Sequence, residues 1–180
     1  MASKHYINNA DFLQALIDYK ERCVVAETDN KPAPAIPNYI GECFMKIADG
    51  LSHKPNFINY TYRDEMISDG IENCLMYFNN FDPSKSKNPF AYFTQIIYYA
   101  FLRRIQKEKK QLYVKYKSAE YFGTIDDSEM SEMDSSVTQQ FEMYDNISEF
   151  IGNYEDGQKR KKDLKKEVKK PKGIEKFIEG

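Results

Sequence analysis

Residues 88–110, NPFAYFTQIIYYAFLRRIQKEKK, admit only one regular structure. Asn88 before Pro89 is a helix start: the amide side chain accepts from an orphan backbone N–H, and proline at the first position gives up no hydrogen bond. At about 100° per residue, Phe90, Phe93, Ile97, Ala100 and Phe101 fall on one face. That face is rings and branched chains, so it needs other elements to cover it. Tyr92, Gln95, Tyr99 and Arg103 gather on the far side, and Gln106 and Lys110 continue their row.

The covering elements read as helices too. Asn9 is placed as the cap of a helix with Phe12, Leu16, Cys23 and Val24 on one stripe. A proline-rich stretch, DNKPAPAIP over 29–37, follows as an extended linker. A second helix is expected over Asn38–Asp49, with Ile40, Cys43, Phe44 and Ile47 apolar and Gly50 ending it. A third is expected over Tyr62–Phe81, with Ile67, Ile71, Cys74 and Phe78 as its apolar stripe. The turn 82–87 carries Pro83. No stretch shows strand alternation, so the fold class is all-α.

Charge divides the chain. Lys85–Lys117 holds nine bases and one acid, 9 − 1 = +8. Residues 118–157 hold eleven acids and no base, −11, and residues 158–180 hold ten bases and four acids, 10 − 4 = +6. With 180 residues, 41% hydrophobic and 30% charged, the composition suits one modest folded domain with tails. The acidic 118–157 is expected to be a loose tether with one short helix over Val137–Ile151, able to mask the basic helix or to lie along a basic channel of a partner as a DNA mimic, and the lysine-rich run to be a spacer or a DNA contact. Three cysteines at helical apolar positions suit a reducing cytoplasm and packing rather than metal ligation. His5 lies in a tail and His53 beside Pro55, so no histidine-based catalytic site is legible. No cofactor or metal is called for, and no apolar run approaches transmembrane length.

Two rows carry functional chemistry. The far side of the 88–110 helix combines rings on which an unstacked base can lie with bases that hold phosphate and a glutamine that can read a base edge. Its plain alternative is a core extended by wet tyrosine hydroxyls. On the third helix Glu65, Asp69 and Glu72 fall almost opposite the apolar stripe with no base at i+4, so they repel one another. That favours docking to something basic over a solvated face. The wheel turns these carboxylates away from the basic helix, which weighs against a nuclease.

The run DEMISDGIENCLMYFNNFDPSKSKNPFAYFTQIIYYAFLRRI resembles conserved region 2 of bacterial sigma factors, the promoter-recognition subunits of RNA polymerase. Glu65, Met66, Ile67, Ser68, Asp69 and Gly70 stand at the D-L-I-Q-E-G positions of that family. Phe81, Asp82 and Pro83 match its F-D-P turn, and Tyr92 with Thr94 match its T-Y-A-T segment. Three further runs are similar to the late sigma factors of T4-type bacteriophages: Asn8, Asn9, Leu13, Gln14, Ala15, Ile17 and Asp18; Glu65–Glu72; and Lys87–Gln95. The family's tryptophan pair is replaced by Gln95 and Ile96.

The resemblance implies a sigma region 2-like helical bundle over 38–117, beside an N-terminal helix (1–28), the linker (29–37), a tether (118–172) and a terminal peptide (173–180). It implies binding to the host RNA polymerase core, beta and beta-prime subunits, through Glu65, Ser68, Asp69, Glu72 and Leu75. It implies recognition and melting of an A/T-rich late promoter through Tyr92, Thr94, Gln95, Tyr99, Arg103, Arg104, Lys107 and Lys110, with Tyr92 stacking on a flipped adenine. Ile174, Phe177 and Ile178, one face of a helical turn, would dock on the phage sliding clamp. A phage late coactivator is a further partner in that setting, the place is the cytoplasm of the infected host, and the chain is expected not to be an enzyme. The competing expectation is an adaptor or regulator that binds polymerase without reading DNA.

Overall fold

A computed structural model describes residues 7–122 and 136–169, with side chains described over 7–122 and 146–166. Among the described residues, five helices, α1 (Asn9–Thr28), α2 (Asn38–Ser52), α3 (Arg63–Tyr77), α4 (Pro89–Tyr121) and α5 (Ser136–Lys169), and a 3-10 turn at Phe78–Asn80 account for the regular structure, and no strand occurs. The chain divides into two units, 1–107 and 108–180, with the boundary inside α4.

The first unit is built around phenylalanine. Phe44 of α2 lies 4.6 Å, centroid to centroid, from Phe93 of α4, 6.1 Å from Phe12 of α1 and 6.2 Å from Phe78. Phe101 closes the far end against Phe57 at 5.2 Å, edge to face. Such pairs contribute roughly 0.5–1.5 kcal/mol each beyond the area they bury. α1 belongs to this same core through Phe12, Leu16 and Tyr19, so the prolines of 29–37 join two helices of one body. Tyr19 donates its hydroxyl to the Pro34 carbonyl at 3.1 Å, folding the linker back on the helix.

Helix ends follow side-chain chemistry. Asn8, not Asn9, caps α1, accepting from Ala10 N at 3.0 Å. Asn9 serves α4 instead: its Oδ1 accepts from Phe90 N at 3.1 Å and its Nδ2 donates to the Lys87 carbonyl at 3.2 Å. Asn88 caps α4 as expected, accepting from Ala91 N at 3.0 Å behind Pro89. Gly50 does not stop α2, which runs on to Ser52. Arg63 holds that last turn, donating to Ser52 Oγ at 2.8 Å and to Asp49 Oδ1 at 3.2 Å. On α1 the buried stripe ends in Tyr19, while Val24 is exposed.

α3 reaches α4 most closely at Gly70. A Cβ there would stand 3.0 Å from Ile97 Cγ2 and 3.1 Å from Phe101 Cε1. The buried line of α3 is therefore Met66, Gly70 and Cys74, with Ile67 and Ile71 only flanking it.

The second unit differs most from the tether expected for 118–172. Residues 136–169 form one helix, continuing through the lysine-rich run. Ile147, Phe150, Ile151 and Tyr154 recur at helical spacing along it. Tyr154 stacks on Tyr113 at 4.5 Å and 21°, and Phe150 meets Tyr116 edge-on at 5.7 Å. Tyr113 donates to Glu155 at 2.8 Å, and Lys117 lies 3.6 Å from the same carboxylate. The Glu155 partnership raises the Tyr113 hydroxyl above its usual range, and the Glu120 hydrogen bond raises the Lys117 amine. An acid of the acidic block thus meets the end of the basic helix. The terminal peptide with Ile174, Phe177 and Ile178 lies outside the described residues.

Two checks follow from the first unit. Gly70→Val forces two β-branched methyls onto Ile97 and Phe101, and urea denaturation should show a loss of about 1–3 kcal/mol. Burial pushes the Cys74 thiol up to about 12 and raises that of Cys43, whereas Cys23 is half-buried. At pH 8 an aromatic disulfide reagent should therefore label Cys23 first and reach Cys43 and Cys74 only as fast as the fold opens. Three equal rates would contradict this core.

Candidate polymerase and nucleic-acid interface

The outward surface of α3 is a row at helical spacing: Glu65, Ser68, Glu72, Leu75 and Met76 are all exposed. Leu75 is 46% exposed and Met76 59%, and Tyr77 beside them is 46% exposed, so the acidic row runs into an apolar end. Met76 and Tyr77 stand outside the residues that the resemblance implies. Their signal is position: Met76 is four residues after Glu72 and continues the row.

Asp69 departs from that row. Its carboxylate takes a two-pronged bond from Arg104, Nε to Oδ2 at 2.6 Å and Nη2 to Oδ1 at 2.7 Å. Arg103 donates to Asn73 Oδ1 at 2.6 Å, and Asn73 Nδ2 in turn donates to the Asp69 carbonyl at 2.7 Å. The wheel turned all α3 acids away from the basic helix; at Asp69 the structure does the reverse. The close approach at Gly70 is the cause, since it brings residues 69 and 73 within arginine reach of α4. The fork geometry makes the pair strong, and removing one partner of so shielded a bond costs roughly 1–3 kcal/mol. Of Glu65, Asp69 and Glu72, only Asp69 is in an ion pair among the described residues.

The outward row of α4 holds Gln95, Tyr99, Arg103, Gln106 and Lys107, all exposed. Tyr99 is 51% exposed and touches Tyr98 edge-on, itself on the rim at 36%. Tyr92 starts the same row on the wheel, but it is half-buried. Its ring lies 5.2 Å from Phe81 and 5.1 Å from Phe93, because the turn before α4 folds its phenylalanine back over the first helical turn. Thr94 donates its hydroxyl to the Phe90 carbonyl at 2.7 Å, and Ile96 packs against the core. Gln95, Tyr99, Arg103 and Lys107 therefore share one exposed row, while Tyr92, Thr94 and Arg104 are engaged in the fold. Lys110 is exposed and belongs to the second unit.

The turn between the two helices is ordered by Asp82. Its Oδ1 accepts from the Ser84 hydroxyl at 2.7 Å and the Ser84 amide at 2.9 Å. These bonds, the hydroxyl's first, hold the carboxyl below its usual range. Lys20 of α1 donates to the carbonyls of Asn79 and Phe81, tying off the end of the 3-10 turn. The spacing of the two outward rows is thus set by residues from α1, the turn and the α3–α4 seam together.

No helix among the described residues is long and apolar enough to cross a membrane. No protein-family model matches the chain, and no curated protein matches it.

Proposed function

We propose that this chain is a transcription initiation factor of the sigma region 2 kind. In this reading the outer row of α3 binds the core of a bacterial RNA polymerase, and the outer row of α4 engages and helps melt an A/T-rich late promoter. The setting is the cytoplasm of a phage-infected bacterium, with the sliding clamp met by residues 173–180 and a late coactivator as a further partner. The observation that carries the reading is the pairing of opposite chemistries on adjacent helices. α3 turns unpaired carboxylates and an apolar end outward, and α4 turns rings, amides and bases outward. A basic polymerase surface suits the first, and unstacked bases with their phosphates suit the second. Pyrimidine–purine steps unstack readily, so an A/T-rich site asks less of a chain without tryptophan.

A second reading, the polymerase-binding adaptor that does not read DNA, draws on the internal engagement of Tyr92, Thr94 and Arg104. Run-off transcription with core polymerase on an A/T-rich duplex template separates the two. Specific starts that depend on this protein support the initiation factor, and binding to core without starts supports the adaptor.

Two residue-level outcomes are expected. Glu65→Lys with Glu72→Lys leaves the Asp69–Arg104 pair intact, so helicity should not change. Affinity for core polymerase should fall at least tenfold, since losing a charge partner at an interface costs about 2–5 kcal/mol. Undiminished co-purification with core would remove α3 from the interface. Tyr99→Ala should slow open-complex formation about tenfold at unchanged core affinity, the loss of one stacking platform at roughly 1–3 kcal/mol. Lys107→Ala should instead weaken binding to every DNA sequence and lower its salt slope by about 1. A Tyr99→Ala protein that opens promoters at the parental rate would put the stacking residue elsewhere.

A further inference from the structure

The far half of α5 is unusual as a helix. Between residues 159 and 166 it carries Lys159, Arg160, Lys161, Lys162, Lys165 and Lys166, all exposed, against one acid, Asp163. Lys161/Lys165 and Lys162/Lys166 are like charges at i,i+4, an arrangement that costs helix stability. Only Lys166 has an acid within ion-pair distance among the described residues, Asp163 at 3.8 Å.

The second unit's register adds to this. Tyr113 faces Tyr154 and Tyr116 faces Phe150, so the two helices run antiparallel. Following α5 onward from Tyr154 therefore means going back along α4 from Tyr113, towards Lys110 and Lys109. A groove lined by Tyr113, Tyr154, Glu155, Gln158, Lys159 and Lys162 marks where the seam ends and the bases begin. Over residues 108–112 and 158–166 the sequence has eight bases and two acids, Glu108 and Asp163, 8 − 2 = +6. The seam holds together at one end what repels at the other.

We infer that this basic end is a sequence-independent grip on duplex DNA. A polyanion relieves the repulsion, and the arrangement of the bases selects which kind. At about 100° per residue five of the six bases cover a sector of about 160°, far wider than a single stripe, and Arg160 stands on the other side. An α-helix with side chains is about 10–12 Å across, and the major groove is about 12 Å wide. Bases over so wide a sector, with one opposite, meet the phosphates of both groove walls at once, and contacts to phosphate carry no sequence information. A membrane surface asks for an apolar face; Leu164 is the only apolar residue from 159 to 166. A single strand asks for open ring platforms; the rings here, Tyr113 and Tyr154, are stacked on each other. The inference does not depend on the promoter reading, because it needs neither a polymerase nor an A/T-rich site.

The test uses the full chain and a short labelled duplex that is G/C-rich, followed by fluorescence anisotropy from about 50 to about 200 mM salt. The parent protein should bind, with affinity falling linearly in log–log form. Replacing Lys159, Arg160, Lys162 and Lys165 together by Gln should weaken binding at least tenfold at the lowest salt and reduce the slope by about 2–4, at roughly 0.9 for each phosphate no longer neutralised. Lys159→Arg, Lys162→Arg and Lys165→Arg together should bind like the parent. If circular dichroism shows that the fourfold variant has lost helix, Lys162→Gln and Lys165→Gln singly carry the test, each expected to lower the slope by about 0.9. An unchanged affinity and slope in the Gln variants overturns the inference. A loss of affinity in the fourfold Gln variant that is larger for the matching single strand, or for phosphatidylserine vesicles, than for the duplex overturns it as well.

Discussion

Two helices meet where one of them has no side chain. Gly70 lets the backbone of α3 come against Ile97 and Phe101 of α4, with no room left for a Cβ without displacement. Everything outward of that contact depends on the distance it sets. Asp69 comes within a two-pronged bond of Arg104, and Asn73 within one bond of Arg103. Charges that would otherwise face solvent cancel at the seam, and Glu65, Glu72, Tyr99 and Lys107 remain as the outward chemistry. A glycine in a helix interior costs about 1 kcal/mol relative to alanine. Here the close packing and the half-buried Asp69–Arg104 pair it permits offset that cost.

Much of the first unit was legible in the sequence because its signals are local. Asn88-Pro89 marks a helix start wherever it stands, and Phe93, Ile97, Ala100 and Phe101 repeat at a spacing only a helix turns to one side. What the sequence hid was non-local. Arg103 and Arg104 read as phosphate ligands because their partners lie 30 and 35 residues away. Tyr92 read as an open ring because the ring that covers it, Phe81, sits across a turn. Val24 fits the apolar stripe by type and Tyr19 does not, since a ring with a hydroxyl declares no side until the Pro34 carbonyl accepts from it. Gly50 read as a stop because Arg63, which holds the turn beyond it, belongs to the next helix.

The second unit was illegible for a different reason. Its composition is that of solvated chain, acidic and then basic, and composition speaks about the average residue. The seam rests on few residues: Phe150, Ile151 and Tyr154 on one helix, Tyr113 and Tyr116 on the other. Each set is too sparse to announce a core alone, and each has its complement in a segment of opposite charge. One of the acids that argued for an unstructured tether is a partner of the basic helix instead, as Glu155 is for Lys117.

Asn9 has a bearing on how this molecule assembles in time. Its side chain closes the first turn of α4 from the opposite end of the first unit's sequence, a span of 81 residues. Asn88 is available to that turn from the moment its neighbours are made; Asn9 is available only once α1 has docked. Closing so long a loop carries an entropic cost that grows slowly with length but must be met before the contact forms. The start of the helix with the aromatic row is therefore among the last places to become fully bonded, and among the first to loosen when α1 lifts away. The order of events along the ribosome, N-terminus first, leaves α1 waiting for a helix that is not yet made.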